Sequence, residues 1–388
     1  MWLLPRVRAS VPLAICLLVA GSGAPVQGYG WSVVSIDDRD PGYVAGPWSV
    51  AVNIIGTLFA AARSSHSIVQ FTPLGWKSVA GKGRKPGEVW EPQGLVASGM
   101  RLSVAEGSGG GLGNDRVQVF SVRPNPATPP VGTVLAEHGS EVGCVENPNA
   151  LALDGFGSLY VSDPDNHRIQ KRVSDRKWEV IAGPGTMLGQ VWDPLALASV
   201  GRVLYVAETY NGALGTHRVQ CRDEDGSWSL IAGPGRDLGQ VLYPHGLAAD
   251  DRGNLYVADW GNNWIQKRDR KGRWSVVALP GREPYQVNLP SGLAVDRSRT
   301  LYVADYGNDR VLKYEPGPLA DHPVFHQGPE TPITIADLLR MLRWLAGNPP
   351  PTEAEAEDAD LNCDGRFDTR DLILLLRLLA GLEGELPC

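Results

Sequence analysis

A unit of about 45 residues repeats along this chain, and the repeat constrains the fold more than any other feature. Each copy opens with Pro-x-Gly/Ala-Leu-Ala, continues through Leu-Tyr-Val-Ala-Asp, turns at an Asn, and resumes with Arg-Ile/Val before a run that contains Trp. Four clear copies begin at Pro148, Pro194, Pro244 and Pro290, and two weaker copies begin at Pro47 and Pro92. Because each copy has four strand-like runs, six copies predict an all-β, six-bladed β-propeller.

The last copy lacks its fourth strand. The stretch "LYVADYGNDRVLKYEPGP" (301–318) supplies two strands and then leaves the pattern, whereas the mature N-terminal stretch "GWSVVSIDDRDPGYV" is similar to "RWSVVALPGREPYQV" (273–287). Trp31 takes the place of Trp274 in this alignment. We therefore predict that residues 30–36 complete the sixth blade, which closes the ring and removes an exposed sheet edge.

The recurring Pro-x-Gly-Leu-Ala, Tyr-Val-Ala-Asp and Asn-x-Arg-Ile/Val motifs resemble the NHL repeat family. The resemblance covers residues 30–316 and is specific in the last four copies. It is weaker in the first two, where Ala62 and Glu106 stand at the position of the repeated Asp. The family implies a six-bladed propeller, but it implies no single activity, because its members include enzymes, RNA binders and protein-binding scaffolds.

The N-terminal segment reads as a cleaved signal peptide over residues 1–28. Arg6 and Arg8 precede a short apolar run, and small residues follow before Tyr29. The run is too short to span a bilayer, so we expect a secreted protein with no membrane span. Removing two arginines leaves 34 basic and 43 acidic side chains, a formal net charge of −9. With no basic stripe, nucleic acid is a poor partner.

Acidic residues recur at the end of the second strand of a copy, where they could be interpreted as groups for acid–base catalysis. A residue repeated in blade after blade is explained more simply as a structural acceptor for the turn that follows it. We extend this interpretation to the acids Asp163, Glu208, Asp259 and Asp305, the amides Asn166, Asn262 and Asn308, and the arginines Arg168, Arg218 and Arg310.

Function is expected where the copies differ, at the mouth of the central channel. The residue after each opening Pro and the loop between the second and third strands reach this face. They supply flat aromatic rings beside amides and hydroxyls, a combination suited to a glycan or a protein ligand. The candidate ligand-binding residues are Trp48, Gln93, Asn149, His245, Ser291, Tyr210, Trp260 and Tyr306.

An enzyme is the alternative, as a propeller-type lyase or hydrolase. A metal-dependent one needs about three His or carboxylate ligands that converge, and His245 is the rim histidine. His66, His167 and His217 stand before third strands in three different copies, where we expect them to be exposed. No nucleophile elbow or Ser/His/Asp set stands out, so we assign no catalytic residue and lean towards a non-catalytic protein.

The composition changes after Pro316. Residues 317–331 read as a linker, and residues 332–388 hold two short leucine-rich helices around "DLNCDGRFDTRD" (360–371). This loop has oxygen donors at calcium-loop spacing and Gly365 at the bend, which predicts one Ca²⁺ site. The predicted ligands are Asp360, Asn362, Asp364, Arg366 through its carbonyl, Asp368 and Asp371.

Asp371 at the twelfth position, followed by "LILLLRLLAG", resembles a dockerin repeat more than an ordinary EF-hand. A first repeat ends in "PITIADLLRMLRWLAG", but its upstream loop lacks acidic ligands. The resemblance implies Ca²⁺-dependent docking onto a cohesin-like scaffold or cell-surface protein, partner choice at Thr369 and Arg370, and a link to polysaccharide breakdown. The plainer alternative is a calcium-clamped helical cap on the propeller itself. Pairing among Cys144, Cys221, Cys363 and Cys388 stays open.

Overall fold

The computed structural model describes residues 31–35, 44–72, 75–107, 113–122, 132–209, 217–283 and 285–315. Within these ranges the protein is built from 26 strands and one short 3-10 turn, Tyr306–Asn308. The sequence prediction of an all-β propeller is therefore confirmed for this part of the chain. The proposed signal peptide, the linker and the C-terminal module lie outside the described residues.

Six antiparallel sheets follow one another along the chain. Strand β1 (Trp31–Ser35) comes first in the sequence and belongs to the sixth blade. Blade 1 consists of β2 (Pro47–Val52), β3 (Leu58–Ala62), β4 (Ser67–Thr72) and β5 (Gly75–Ala80). Blade 2 consists of β6 (Pro92–Ser98), β7 (Arg101–Glu106), β8 (Arg116–Ser121) and β9 (Gly132–Ala136), and blade 3 of β10 (Leu151–Leu153), β11 (Leu159–Asp163), β12 (Arg168–Ser174) and β13 (Lys177–Ala182).

The later blades repeat this order with small additions. Blade 4 consists of β14 (Pro194–Val200), β15 (Val203–Glu208), β16 (Arg218–Arg222), β17 (Trp228–Pro234) and β18 (Gln240–Val241). Blade 5 consists of β19 (Pro244–Ala249), β20 (Leu255–Asp259), β21 (Trp264–Arg268), β22 (Trp274–Pro280) and β23 (Gln286–Val287), and blade 6 of β24 (Pro290–Val295), β25 (Leu301–Asp305) and β26 (Arg310–Tyr314) together with β1. The two-residue strands β18 and β23 run parallel to β17 and β22.

The sixth blade joins both ends of the propeller. Its strand order is β1-β26-β25-β24, and Trp31 lies opposite Tyr314 while Val33 lies opposite Leu312. The predicted closure by an N-terminal strand is therefore confirmed. The inner strands contact each other in ring order, ending with β24 against β2, so the six blades form a closed ring.

Apolar side chains fill the space between the blades. Second strands such as "LYVAD" in β20 and β25 are buried along their whole length because neighbouring blades cover both faces. Glycines let the inner strands approach one another. A Cβ added at Gly246 would lie 2.5 Å from the Ser291 carbonyl oxygen, and one at Gly292 would lie 2.7 Å from Ser49 Cα. Side chains at these two positions would therefore push neighbouring blades apart.

Hydrogen bonds of one recurring type also join neighbouring blades. The residue just before a third strand has a positive φ and accepts the backbone N–H of the residue that precedes the next opening Pro. The pairs, with donor second, are His66 and Glu91 (3.0 Å), Asp115 and Asn147 (3.1 Å), His167 and Asp193 (3.3 Å), Asn263 and Leu289 (2.8 Å), and Asp309 and Gly46 (2.7 Å). The Asp309–Gly46 bond crosses the point where the ring closes.

The expectation that three turn histidines are exposed was wrong. His66 is half-buried and stacks on Trp90, and His167 stacks on Trp192 with 3.9 Å between ring centroids. His217 is buried, with its ring centroid 4.1 Å from that of Tyr243. These positions turn into the interface with the next blade, which the single-copy sequence pattern does not reveal.

Candidate functional site

A β-bulge at the start of an inner strand directs one residue towards the channel mouth. The pairing register shifts immediately after the opening Pro in five blades, so the following residue is left out of the ladder. The residues placed in this way are Trp48, Gln93, Leu195, His245 and Ser291. Together with Asn149 and the loops between second and third strands, they form the surface that we call the channel mouth.

Four rings from blades 1, 5 and 6 pack together at this surface, and we call them the aromatic cluster: Trp48, His245, Trp260 and Tyr306. The Trp48 ring centroid lies 5.2 Å from that of Tyr306, 5.5 Å from His245 and 5.6 Å from Trp260. His245 stacks on Trp260 with 4.5 Å between centroids. All four side chains are half-buried, so the cluster covers one side of the mouth and still presents ring surface to solvent.

Arg63, from the loop between β3 and β4, extends the cluster with a positive charge. Its guanidinium carbon lies 4.3 Å from the centroid of the Trp48 ring, a cation–π contact. The nearest carboxylate oxygen is on Glu91, 3.6 Å from Arg63 Nη2. The two groups form an ion pair, but a distance of 3.6 Å is too long for a good hydrogen bond.

His245 is neutral at pH 7. Burial among protein atoms, reinforced by the nearby Arg63 charge, lowers its pKa from 6.5 to about 4. Part of the ring surface nevertheless reaches the mouth, because the side chain is only half-buried from solvent. Within the described residues neither ring nitrogen has a hydrogen-bond partner. The imidazole can therefore donate one hydrogen bond and accept another from a molecule in the mouth.

The other predicted mouth residues divide into free and engaged groups. Gln93 is 4 % exposed, and its Oε1 is buried without a hydrogen-bond partner. Asn149 is half-buried, with no partner for its amide group in the described part of the chain. Ser291 is buried beneath the surface, where its hydroxyl donates to the Pro47 carbonyl oxygen at 3.1 Å. Tyr210 lies outside the described residues.

The repeated acids form hydrogen bonds that stabilise the blades, and they are not part of the channel mouth. Asp305 accepts hydrogen bonds from Arg310 Nε (2.7 Å), Asn308 Nδ2 (2.8 Å) and the Asn288 backbone N–H (2.7 Å). Equivalent bonds surround Asp163, Glu208 and Asp259, and all four carboxylates are fully buried. In blade 5, Trp264 Nε1 replaces the arginine and donates to Asp259 at 2.6 Å. The structural interpretation of these residues is confirmed.

The described residues contain no group of three or more His, Cys, Asp or Glu side chains that could hold a metal ion. In the same residues, no helix has the length and apolar character that crossing a bilayer requires.

Cys144 and Cys221 are both free thiols, so they do not pair with each other. The predicted calcium ligands, Thr369 and Arg370, and the other two cysteines lie outside the described residues.

Two surface cavities lie outside the aromatic cluster. One of about 290 Å³ is lined by Asp154, Phe156, Lys171, Arg202 and neighbouring residues at the turns between first and second strands. The other, of about 400 Å³, is lined by Leu188, His217, Leu230 and neighbours. The first cavity shares no lining residue with the channel mouth, whereas the second includes His217, from the loop between β15 and β16.

Comparisons with known proteins support the repeat and the fold. The model of the NHL repeat matches residues 242–267 and 287–314, which span most of blades 5 and 6. No curated protein matches the sequence. NHL repeats are thus identified in blades 5 and 6.

Solved structures of the same architecture are numerous and distant in sequence. An auxiliary nutrient binding protein from Bacteroides thetaiotaomicron is 13% identical, with a TM-score of 0.55, and the match covers 74% of this chain and 76% of that one. A protein of unknown function from the same organism is 18% identical, with a TM-score of 0.54 and coverage of 74% and 75%. A gluconolactonase from Xanthomonas campestris is 14% identical, with a TM-score of 0.53 and coverage of 70% and 87%. At such identities the similarity shows the fold alone.

Proposed function

We propose that this chain is a secreted, non-catalytic binding protein whose channel mouth holds a glycan. The observation that carries the proposal is the aromatic cluster, with the unpaired polar groups of Gln93, Asn149 and His245 at the same mouth. Sugar rings have apolar faces that pack on aromatic side chains, and their hydroxyls take hydrogen bonds from neutral donors and acceptors. The mouth offers both.

The test is a binding screen of the full chain against immobilised glycans and peptides, followed by substitution of the rings. Trp260→Ala and Tyr306→Ala should each weaken binding of the retained glycan at least tenfold, because each removes a large contact surface. Phe156→Ala is the matched control, since Phe156 is an exposed aromatic side chain outside the mouth. Retention of peptides alone, or unchanged binding in both ring variants, would contradict the proposal.

The same screen separates binding from catalysis. Incubating the retained glycan with the protein and analysing it for new reducing or unsaturated ends would detect hydrolysis or elimination. Cleavage that disappears in His245→Gln would favour the lyase or hydrolase alternative, because His245 is the neutral, unpaired imidazole at the mouth. An intact glycan supports the binding function.

We further propose that residues 332–388 dock the protein, with one Ca²⁺ bound, onto a cohesin-type scaffold or a cell-surface partner. The carboxylates and amide of the 360–371 loop carry this proposal, and Thr369 and Arg370 would contact the partner. Calcium titration of the full chain should give one site that Asp364→Ala weakens. Capture of secreted and surface proteins by the full chain should then depend on calcium and fail with Asp364→Ala. Calcium binding without capture would favour the helical cap.

A further inference from the structure

We propose that the ligand of the channel mouth is an acidic glycan, and that Arg63 pairs with the carboxylate of a uronic acid residue. The inference rests on the proposed glycan-binding function and narrows its ligand. It follows from the unusual state of one arginine and from the neutral polar groups around it.

Arg63 differs from the buried arginines of blades 3, 4 and 6. Arg310 donates to the Asp305 carboxylate and to the backbone carbonyls of Arg282, Glu283 and Gln286. Arg168 and Arg218 are engaged in the same way. The guanidinium of Arg63, whose side chain is 29 % exposed, has no hydrogen-bond partner within the described residues. Its planar fork of five N–H donors is therefore available to a ligand.

The position of Arg63 favours an anionic ligand. The guanidinium is held over the Trp48 ring, so its rotamer is already restricted before binding. Glu91 attracts it from 3.6 Å without a good hydrogen bond, so a ligand carboxylate can form the shorter bidentate contact that Glu91 does not. A cationic ligand is disfavoured because Arg63 already occupies a face of Trp48.

The other groups of the mouth favour a sugar as the carrier of that charge. His245 is neutral at pH 7, and Gln93 and Asn149 are amides, so none of the three adds a charge that would oppose a carboxylate. All three can bond to hydroxyl groups. Trp48 lies beside Arg63 and Tyr306 lies beside Trp48, and their rings supply the apolar contact for a sugar ring. Glu91 works against the anion, and so does the exposed Asp309, whose Oδ1 lies 2.7 Å from Gly46 N.

The experiment measures affinity of the full chain for short oligomers of galacturonic, glucuronic and mannuronic acids, each beside its methyl ester. Methylation removes the charge and keeps the sugar. At least one acid should bind about tenfold more tightly than its ester. That preference should disappear with Arg63→Gln and in high salt, which screens a partly exposed pair. Glu91→Gln should strengthen binding of the acid, because it removes the competing carboxylate.

Arg202→Gln is the matched control, since Arg202 also stacks on an aromatic side chain, 4.6 Å from the Phe156 ring, and lies outside the mouth. It should leave both affinities unchanged. Equal binding of acids and esters, lost with Trp260→Ala, would overturn the role of Arg63 and keep glycan binding. Binding of neutral glycans alone would also overturn the role of Arg63 and keep glycan binding. If no glycan binds in any form, the proposed function fails together with this inference.

Discussion

His245 shows how its surroundings change the chemistry of one side chain. Packing between Trp48 and Trp260 removes much of the water that would stabilise an imidazolium, and Arg63 adds a like charge. The pKa therefore falls from 6.5 to about 4. In the unfolded chain the same imidazole takes up a proton below about pH 6.5. Between these two pKa values the unfolded state binds more protons than the folded state, so stability falls as the pH falls.

We predict that His245→Phe makes the propeller less sensitive to acid. The free energy of unfolding of the natural chain should drop by at most about 3 kcal/mol more than that of the variant between pH 7 and pH 4, since each pKa unit corresponds to 1.36 kcal/mol. Urea denaturation at a series of pH values measures the difference. His138→Gln, at an exposed histidine, controls for loss of an imidazole as such. Parallel pH curves for the natural and His245→Phe chains would show that burial does not suppress protonation of this residue.

At the scale of structural elements, the hydrogen bonds that link neighbouring blades could not be predicted from the sequence. The four-strand repeat, the buried acids and the closing strand could all be read from recurring residue types. The links could not, because their acceptor is His, Asp or Asn in different blades and its partner is a backbone N–H. The acceptor residues share a backbone conformation with φ between 39° and 57°, and no single residue type predicts that conformation. Likewise, the spacing predicted which residues reach the mouth, but only side-chain packing gathers Trp48, His245, Trp260 and Tyr306 from three blades.

A series at Asn263 tests the link at the level of the element. Asn263 accepts the Leu289 N–H at 2.8 Å from a residue with φ of 57°. Asn263→Asp keeps an acceptor and should be nearly neutral, whereas Asn263→Gly loses the bond without strain and should cost about 1 kcal/mol. Asn263→Ala loses the bond and adds left-handed strain, so it should cost about 2–3 kcal/mol. Denaturant unfolding of the full chain gives the order, and equal losses for Gly and Ala would show that the strain is absent.

For the whole molecule, the ring is closed by noncovalent contacts between residues distant in sequence. Strand β1 pairs with β26, and the Asp309 side chain accepts the Gly46 N–H across 263 residues. Every other blade is continuous in the chain, so it forms through local pairing that costs little loop entropy. Blade 6 forms only when both ends meet. The closing blade should therefore be where the propeller opens first, and a covalent bond there should stabilise it more than an equivalent bond inside one blade.

Two engineered disulfides at equivalent cross-strand positions test the prediction that a bond in the closing blade stabilises the propeller more. Ser32 lies opposite Lys313 in blade 6, and Cys221 lies opposite Ser229 in blade 4. Ser32→Cys with Lys313→Cys closes a loop of about 280 residues, which in the chain-entropy model stabilises the fold by about 5.5 kcal/mol. Ser229→Cys closes a loop of about 8 residues with the native Cys221 and should contribute about 2.5 kcal/mol.

The measurement is the midpoint of thermal unfolding of each oxidised variant against the same variant under reductant, with mass spectrometry to establish that the bond has formed. The blade 6 disulfide should raise the midpoint by about twice as much as the blade 4 disulfide, and it should suppress proteolysis near residues 31–46, because the closing strand can no longer leave its edge. The blade 4 variant should leave proteolysis there unchanged. Equal gains from the two bonds would mean that the ring opens no more readily at its closing blade than elsewhere, and that side-chain packing between blades outweighs the separation of β1 from β26 along the chain.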